Sequence, residues 1–177
     1  DGSIKARLAS RPELARQLAD VGLLNERGNE ILYGSIVFPI EDAEGRIVNL
    51  YARNTRPDTE IPHLYLPGPR RGVFNYPGLK GSNGSAIVTE GILDTLSLLE
   101  LGFPNTTCTW GTRGFTADLL AALQRTAVKT VFVTYDDDPA GSTGAEQLAH
   151  RLAPHGITTR RILLPTKDPK EFLIAGH

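Results

Sequence analysis

From Ala86 to Lys170 the chain alternates short apolar runs with segments of helical periodicity, and no other feature constrains its fold as tightly. Ala86-Ile87-Val88-Thr89 is a largely apolar run of buried-strand type, and Ile92, Leu93, Leu96 and Leu99 follow at helical spacing. Thr106 to Thr109 reads as the next strand, and Thr116 caps a helix carrying Leu119, Leu120 and Leu123. Val131-Phe132-Val133 gives a third strand, Ser142 to Leu152 a helix ending at Pro154-His155-Gly156, and Thr158 to Leu164 a fourth strand. Such alternation builds a parallel sheet with helices on its faces. In open sheets of this kind, sites lie beyond the carboxyl ends of the strands.

The first half reads differently. Ser10 and Glu13 bracket Pro12 in a capping-box arrangement, with Leu14, Leu18 and Val21 at helical spacing behind them, so a short amphipathic helix is expected. Ser35 to Ile40 reads as a strand, Glu41 to Gly45 as a turn, and Arg46 to Arg53 as the antiparallel return. Asn54 to Gly72 holds Pro57, Pro62, Pro67 and Pro69 and is expected to be an irregular loop. Gly81 to Ser85 looks like a joint, which divides the chain into an α+β lobe over 1–84 and an α/β domain over 85–177.

Composition narrows the class of protein. With 40% hydrophobic and 22% charged residues in 177, the chain has the make-up of a soluble globular protein able to bury a core. No apolar run approaches the roughly 20 residues a bilayer requires, so no membrane role is expected. Cys108 is the sole cysteine, which excludes an internal disulfide and a multi-cysteine zinc site and fits a cytoplasmic setting. The chain begins at Asp1 and holds no methionine, which reads as a piece of a longer polypeptide. A net charge of −1 argues against coating nucleic acid by bulk charge. Between Arg46 and Lys80, however, Arg46, Arg53, Arg56, Arg70, Arg71 and Lys80 face only Asp58 and Glu60. A phosphate-contacting stretch and a solvated basic loop both fit that excess.

Two of the expected strand ends are acidic. Val88-Thr89 runs into Glu90-Gly91, and Val133-Thr134-Tyr135 runs into Asp136-Asp137-Asp138. In extended chain Asp136 and Asp138 share a side while Asp137 points away, so Glu90, Asp136 and Asp138 are expected to converge. Two carboxylates about 4 Å apart repel by roughly 4 kcal/mol at an effective dielectric near 20. Protonation relieves this by raising a pKa, and a divalent cation relieves it by bonding. Mg²⁺ prefers oxygen ligands and shares its sphere with substrate phosphates. Plainer readings stand beside this one. Glu90 and Asp94 also suit the first turn of a helix, three aspartates also suit a solvated turn, and Asp168 before Pro169 is a good N-cap. Spacing alone leaves both readings open.

These same residues resemble the Toprim family and, within it, the bacterial DnaG-type DNA primases. Glu90-Gly91 and Asp136-Asp137-Asp138 match the Toprim pattern of a Glu-Gly and a later Asp-x-Asp. Glu90-Gly91-Ile92-Leu93-Asp94 resembles the primase EGYMD segment, Trp110-Gly111-Thr112 its LGT turn, and Asp136 to Gly141 its DGDxAG segment. Leu164-Pro165 through Lys167-Asp168-Pro169 resembles LPxxKDP. Upstream, Val37 to Ile40, Gly45 to Val48, Ala52-Arg53 and Leu64 to Pro69 resemble segments of the primase amino-terminal lobe. Ser35 and Leu64 stand where primases carry Arg and Lys, Asp137 replaces glycine and Pro139 a basic residue, departures that resemble plasmid, phage or mobile-element relatives.

The resemblance implies a Toprim (Rossmann-like) parallel sheet flanked by helices, with a smaller amino-terminal lobe. It implies a primase catalytic core, a DNA-directed RNA polymerase making RNA primers on single-stranded DNA by Mg²⁺-dependent nucleotidyl transfer, with Mn²⁺ able to substitute. Glu90, Asp136 and Asp138 would be catalytic, and Asp94 and Asp168 would join them around the metal. Arg53, Arg70 and Arg71 would hold nucleic-acid phosphates. The implied partners are single-stranded DNA, nucleoside triphosphates and a replicative helicase reached through segments beyond this stretch. The zinc module of such primases has no counterpart here. Two alternatives are phosphodiester cleavage of the nuclease or topoisomerase kind, and a nucleic-acid-binding module without chemistry. Trp110 is expected to pack near the site, Cys108 to be a small buried hydrophobe, and at least one of Arg160 and Arg161 to be solvated.

Overall fold

The computed structural model describes residues 3–176, the side chains of Ser3 and Lys5 apart. The chain forms two compact units, one of Asp1–Ile40 with Ile47–Pro69, the other of Glu41–Arg46 with Arg70–His177. The joint expected at 81–85 therefore falls inside the second unit.

The first unit carries α1 (Ser3–Leu8), α2 (Pro12–Asp20) and a sheet of β1 (Ser35–Glu41), β2 (Ile47–Asn54) and β3 (His63–Tyr65) in the order β1-β2-β3. The capping box does not form. Helix α2 starts at Pro12, so Arg11 is the N-cap, makes no side-chain cap bond, and Glu13 stands one place too early to complete the motif. The expected loop over 54–72 contains a strand. β3 pairs antiparallel with β2, Tyr51 facing Tyr65 and Arg53 facing His63. Aromatic packing explains this strand: the Tyr51 ring lies 5.2 Å from Tyr65, 5.9 Å from His63 and 5.8 Å from Phe38. Prolines on either side confine the strand to three residues.

The second unit contains α3 (Tyr76–Lys80) and then the expected alternation. Its elements are β4 (Ser85–Thr89), α4 (Ile92–Glu100), β5 (Thr106–Cys108), α5 (Ala117–Arg125), β6 (Thr130–Thr134), α6 (Pro139–Leu152), β7 (Thr158–Arg161) and α7 (Pro169–Ile174). The four strands form one parallel sheet in the order β5-β4-β6-β7. On one face Ala86, Val88, Val131 and Val133 form a single core with Leu79 of α3, Leu119 and Leu123 of α5, and Leu148 and Leu152 of α6. On the other face Thr89 meets Thr95 of α4, and α4 packs against α7. Cys108 is buried, and burial pushes its thiol up to about 12, so it behaves as a small hydrophobe.

Local chemistry sets the helix starts. Thr116 caps α5 as expected, its side chain accepting from Leu119 N–H at 3.2 Å. Helix α6 begins at Pro139, three residues before Ser142, because Asp138 accepts from Gly141 N–H at 2.7 Å and proline suits the first helical position. Strand β7 stops at Arg161, short of Leu164; beyond it the chain turns so that Lys167 C=O accepts from Asp137 N–H at 3.1 Å.

Candidate metal centre

The register of the parallel sheet assembles the acidic rim. Thr89 lies level with Thr134 of β6 and with Cys108 of β5. One residue further on, Glu90 leaves β4, Thr109 leaves β5 and Tyr135 leaves β6, with Asp136 just beyond. Asp136 and Asp138 are half-buried and Asp137 is exposed, on a bend in which Asp138 N–H donates to the Asp136 carbonyl at 2.9 Å.

Asp94 comes from the first turn of α4, and Asp168 caps α7, accepting from Glu171 N–H at 2.8 Å. Only 8% of Asp168 is exposed. Burial raises the Glu90 pKa above the usual carboxylate value, and the charges of Asp136 and Asp138 raise it further. Burial, then Asp168 and Asp136, then Glu90, push Asp94 up to about 6. Asp136 is raised by burial, Asp168 and Asp138, against the opposing pull of Lys167 and Lys170. These groups thus repel one another through space, while Lys167 sits 3.8 Å from Asp136 and Lys170 3.9 Å from Asp168.

The convergence is looser than the sequence suggested. Among the described residues, no three His, Cys, Asp or Glu side chains stand together closely enough to form a ready-made metal cage. Four of the five carboxylates answer to local groups instead. Asp138 caps α6, Asp168 caps α7, Asp136 leans toward Lys167, and the Thr112 N–H partly offsets the rise at Glu90. The donor set is nonetheless all carboxylate oxygen, half-buried and mutually repelling, which fits a hard divalent cation such as Mg²⁺.

The expected phosphate-holding arginines lie in three different settings. Arg70 donates to the Trp110 carbonyl at 2.9 Å and lies over its ring at 5.5 Å, on the turn that holds Glu90. Arg71 lines a separate cavity of about 190 Å³ with Asp42, Arg46, Asp118 and Arg125. Arg53 belongs to the first unit, its guanidinium 2.9 Å from His63 Nε2.

Arg161 and Lys167 also shape the acidic turn, a part that their sequence context does not show. Arg161 donates to Ser142 Oγ at 2.7 Å and to the Asp136 carbonyl at 3.2 Å, and lies 3.8 Å from Asp137. It therefore braces the acidic turn. Lys167, next to the capping Asp168-Pro169 pair, carried a faint signal, whereas Arg161 carried none.

The Toprim-like family model matches residues 87–173, the stretch from β4 through α7 that holds all five carboxylates. Residues 87–173 are a Toprim domain. Beyond the Toprim domain, the chain is similar to bacterial DNA primases along nearly its full length. It is 28% identical over 176 residues to the DNA primase of Deinococcus radiodurans, covering 91% of this chain and 30% of that protein. It is 27% identical over 189 residues to the DNA primase of Escherichia coli K12, covering 97% of this chain and 32% of that protein. The chain thus spans about a third of the length of these relatives. Among solved structures, the DnaG catalytic core matches with a TM-score of 0.80 at 26% identity, covering 97% of this chain and 58% of that one. A DnaG primase catalytic domain bound to single-stranded DNA matches with a TM-score of 0.78 at 26% identity, covering 97% of this chain and 59% of that one. The Toprim fold and the relation to DnaG-type primases, both expected from the motifs, are therefore found.

Proposed function

We propose that this chain is the catalytic core of a DNA primase, joining ribonucleotides on single-stranded DNA by Mg²⁺-dependent nucleotidyl transfer. The observation that carries the reading is the mutual repulsion of Glu90, Asp94, Asp136 and Asp168 on one rim of a Toprim sheet whose relatives are primases. Residues 85–177 carry the chemistry in this reading, and residues 1–84 supply contacts to nucleic acid.

Asp136 and Asp138 would hold the metal, with Asp94 and Asp168 completing the ring. A divalent ion held there supplies charge neutralisation for the triphosphate and its departing pyrophosphate. Glu90, its carboxylate raised by burial and by neighbouring charge, is suited to accept the proton of the attacking 3′ hydroxyl. Arg70, fixed against Trp110 beside the Glu90 turn, is placed to hold a phosphate, and Arg53 and Arg71 would grip the strand elsewhere. Cytoplasmic action beside a replicative helicase completes the reading. Among the described residues, no helix is long and apolar enough to cross a membrane.

The test is synthesis on labelled single-stranded DNA with ribonucleotides and Mg²⁺. Glu90→Gln and Asp136→Asn should each lower primer yield by roughly a hundredfold or more while circular dichroism stays unchanged. Wild-type yield from either variant would refute the assignment. Shortening of the DNA without ribonucleotides would favour cleavage, and binding without turnover would favour a module that has lost its chemistry.

A further inference from the structure

At the carboxyl end of the sheet, where Glu90 leaves β4, lies a hydroxyl bridge that the acidic rim does not account for. Tyr135 Oη and Thr109 Oγ1 are 2.7 Å apart, and both residues are buried, at 3% and 2% exposure. Thr109 Oγ1 donates in turn to the Thr89 carbonyl at 3.3 Å, and Thr109 N–H donates to the same carbonyl at 3.1 Å. Tyr135 immediately precedes Asp136, and Thr89 immediately precedes Glu90.

The sheet order makes this bridge unusual. Tyr135 follows β6 and Thr109 follows β5, and β4 lies between those strands. The tyrosine must therefore reach across β4, two strand spacings or roughly 10 Å, to meet its partner. Parallel register puts Thr109, Glu90 and Tyr135 level with one another on the same face. The bridge consequently crosses the end of β4, where Glu90 leaves the strand. Gly144 leaves the room it needs, since a Cβ there would come within 3.2 Å of the Tyr135 ring and 2.8 Å of Thr112 Cβ. The backbone of Glu90 is tied from above as well, its carbonyl accepting from Gly111 N–H at 3.0 Å.

We propose that Tyr135 and Thr109 are positioning residues whose hydroxyl bridge fixes the separation of Glu90 and Asp136 and keeps the Glu90 carboxylate up on the acidic rim. Without the bridge, β4 and β6 keep their ladder but their ends are free to splay, and Glu90 can sink toward the space the bridge fills. This inference rests on the metal reading of the rim, and its readout is metal affinity rather than primer yield.

The experiment titrates Mn²⁺ by electron paramagnetic resonance into the full chain and three variants, with the thermal midpoint of each recorded without metal. Thr109→Val removes the central hydroxyl and leaves the Tyr135 hydroxyl buried without its partner, so affinity should fall by roughly tenfold and the midpoint should drop. Thr109→Ser keeps the bridge and should bind within about twofold of wild type even where the lost methyl lowers the midpoint. The double variant Thr109→Val with Tyr135→Phe removes both polar groups, so its midpoint should recover relative to Thr109→Val while its affinity stays low. Recovery of affinity together with the midpoint, or wild-type affinity in Thr109→Val, overturns the positioning role while leaving the metal reading intact. Failure of the wild-type chain to bind Mn²⁺ overturns both.

Discussion

Asp94 is the residue whose behaviour with pH follows most directly from its surroundings. Burial and the neighbouring Asp168 and Asp136 charges hold it at about 6, against an ordinary value of 3.8. The folded chain therefore binds this proton more tightly than the unfolded chain does. Its stabilising effect is fully present below 3.8 and is lost as pH rises through about 6. Glu90 and Asp136 are shifted in the same direction, while Asp42, lowered by its hydrogen bonds from Arg46, acts oppositely at lower pH. In EDTA the thermal midpoint should fall between pH 4 and pH 7, and Asp94→Asn should flatten that slope and raise the midpoint at neutral pH. An unchanged slope in Asp94→Asn would show that its neighbours do not press on it. The proton that Asp94 holds at pH 5 should compete with metal, so Mn²⁺ affinity should rise with pH through about 6.

At the scale of elements, the turn from β6 into α6 carries the most consequence per residue. Gly141 lies so close to Asp136 that a Cβ there would run into the Asp136 carbonyl oxygen, a backbone atom with nowhere to go. Gly141→Ala should therefore cost about 1–3 kcal/mol of stability and displace the acidic turn, seen as a lower urea midpoint together with weakened Mn²⁺ binding. Unchanged values for both would mean that the turn relaxes freely. Much of this half was legible in the sequence. Ala86 to Thr89 and Val131 to Thr134 announce buried parallel strands by apolar content, and an acid directly after such a strand has to sit at its carboxyl end. The Asp138 cap is written in Asp-Pro-x-Gly, yet three aspartates also read as one turn, so apolar periodicity alone starts the helix three residues late, at Ser142. β3 stayed hidden because four prolines mask a three-residue strand whose cause, the Tyr51 ring cluster, lies on another strand. Arg161 stayed hidden for the same physical reason: its partners Ser142 and Asp136 are distant in sequence.

At the scale of the whole molecule, the second unit gathers Glu90, Asp94, Asp136, Asp138 and Asp168 on one rim, answered there by Lys167, Lys170 and, beside the Glu90 turn, Arg70. That excess of negative charge suits a polyanionic substrate only when a cation bridges rim and phosphate. The rim is therefore where the account stands or falls. The most direct measurement is anomalous diffraction from a crystal of this chain soaked in Mn²⁺ at about pH 7.5. The account predicts a manganese peak ligated by oxygens of Asp136 and Asp138, at roughly 2.0–2.3 Å, with Glu90 or Asp168 turned toward it. A saturating soak that leaves the rim free of manganese, with Asp138 still bonded to Gly141 and Glu90 still turned to Thr112, would contradict it.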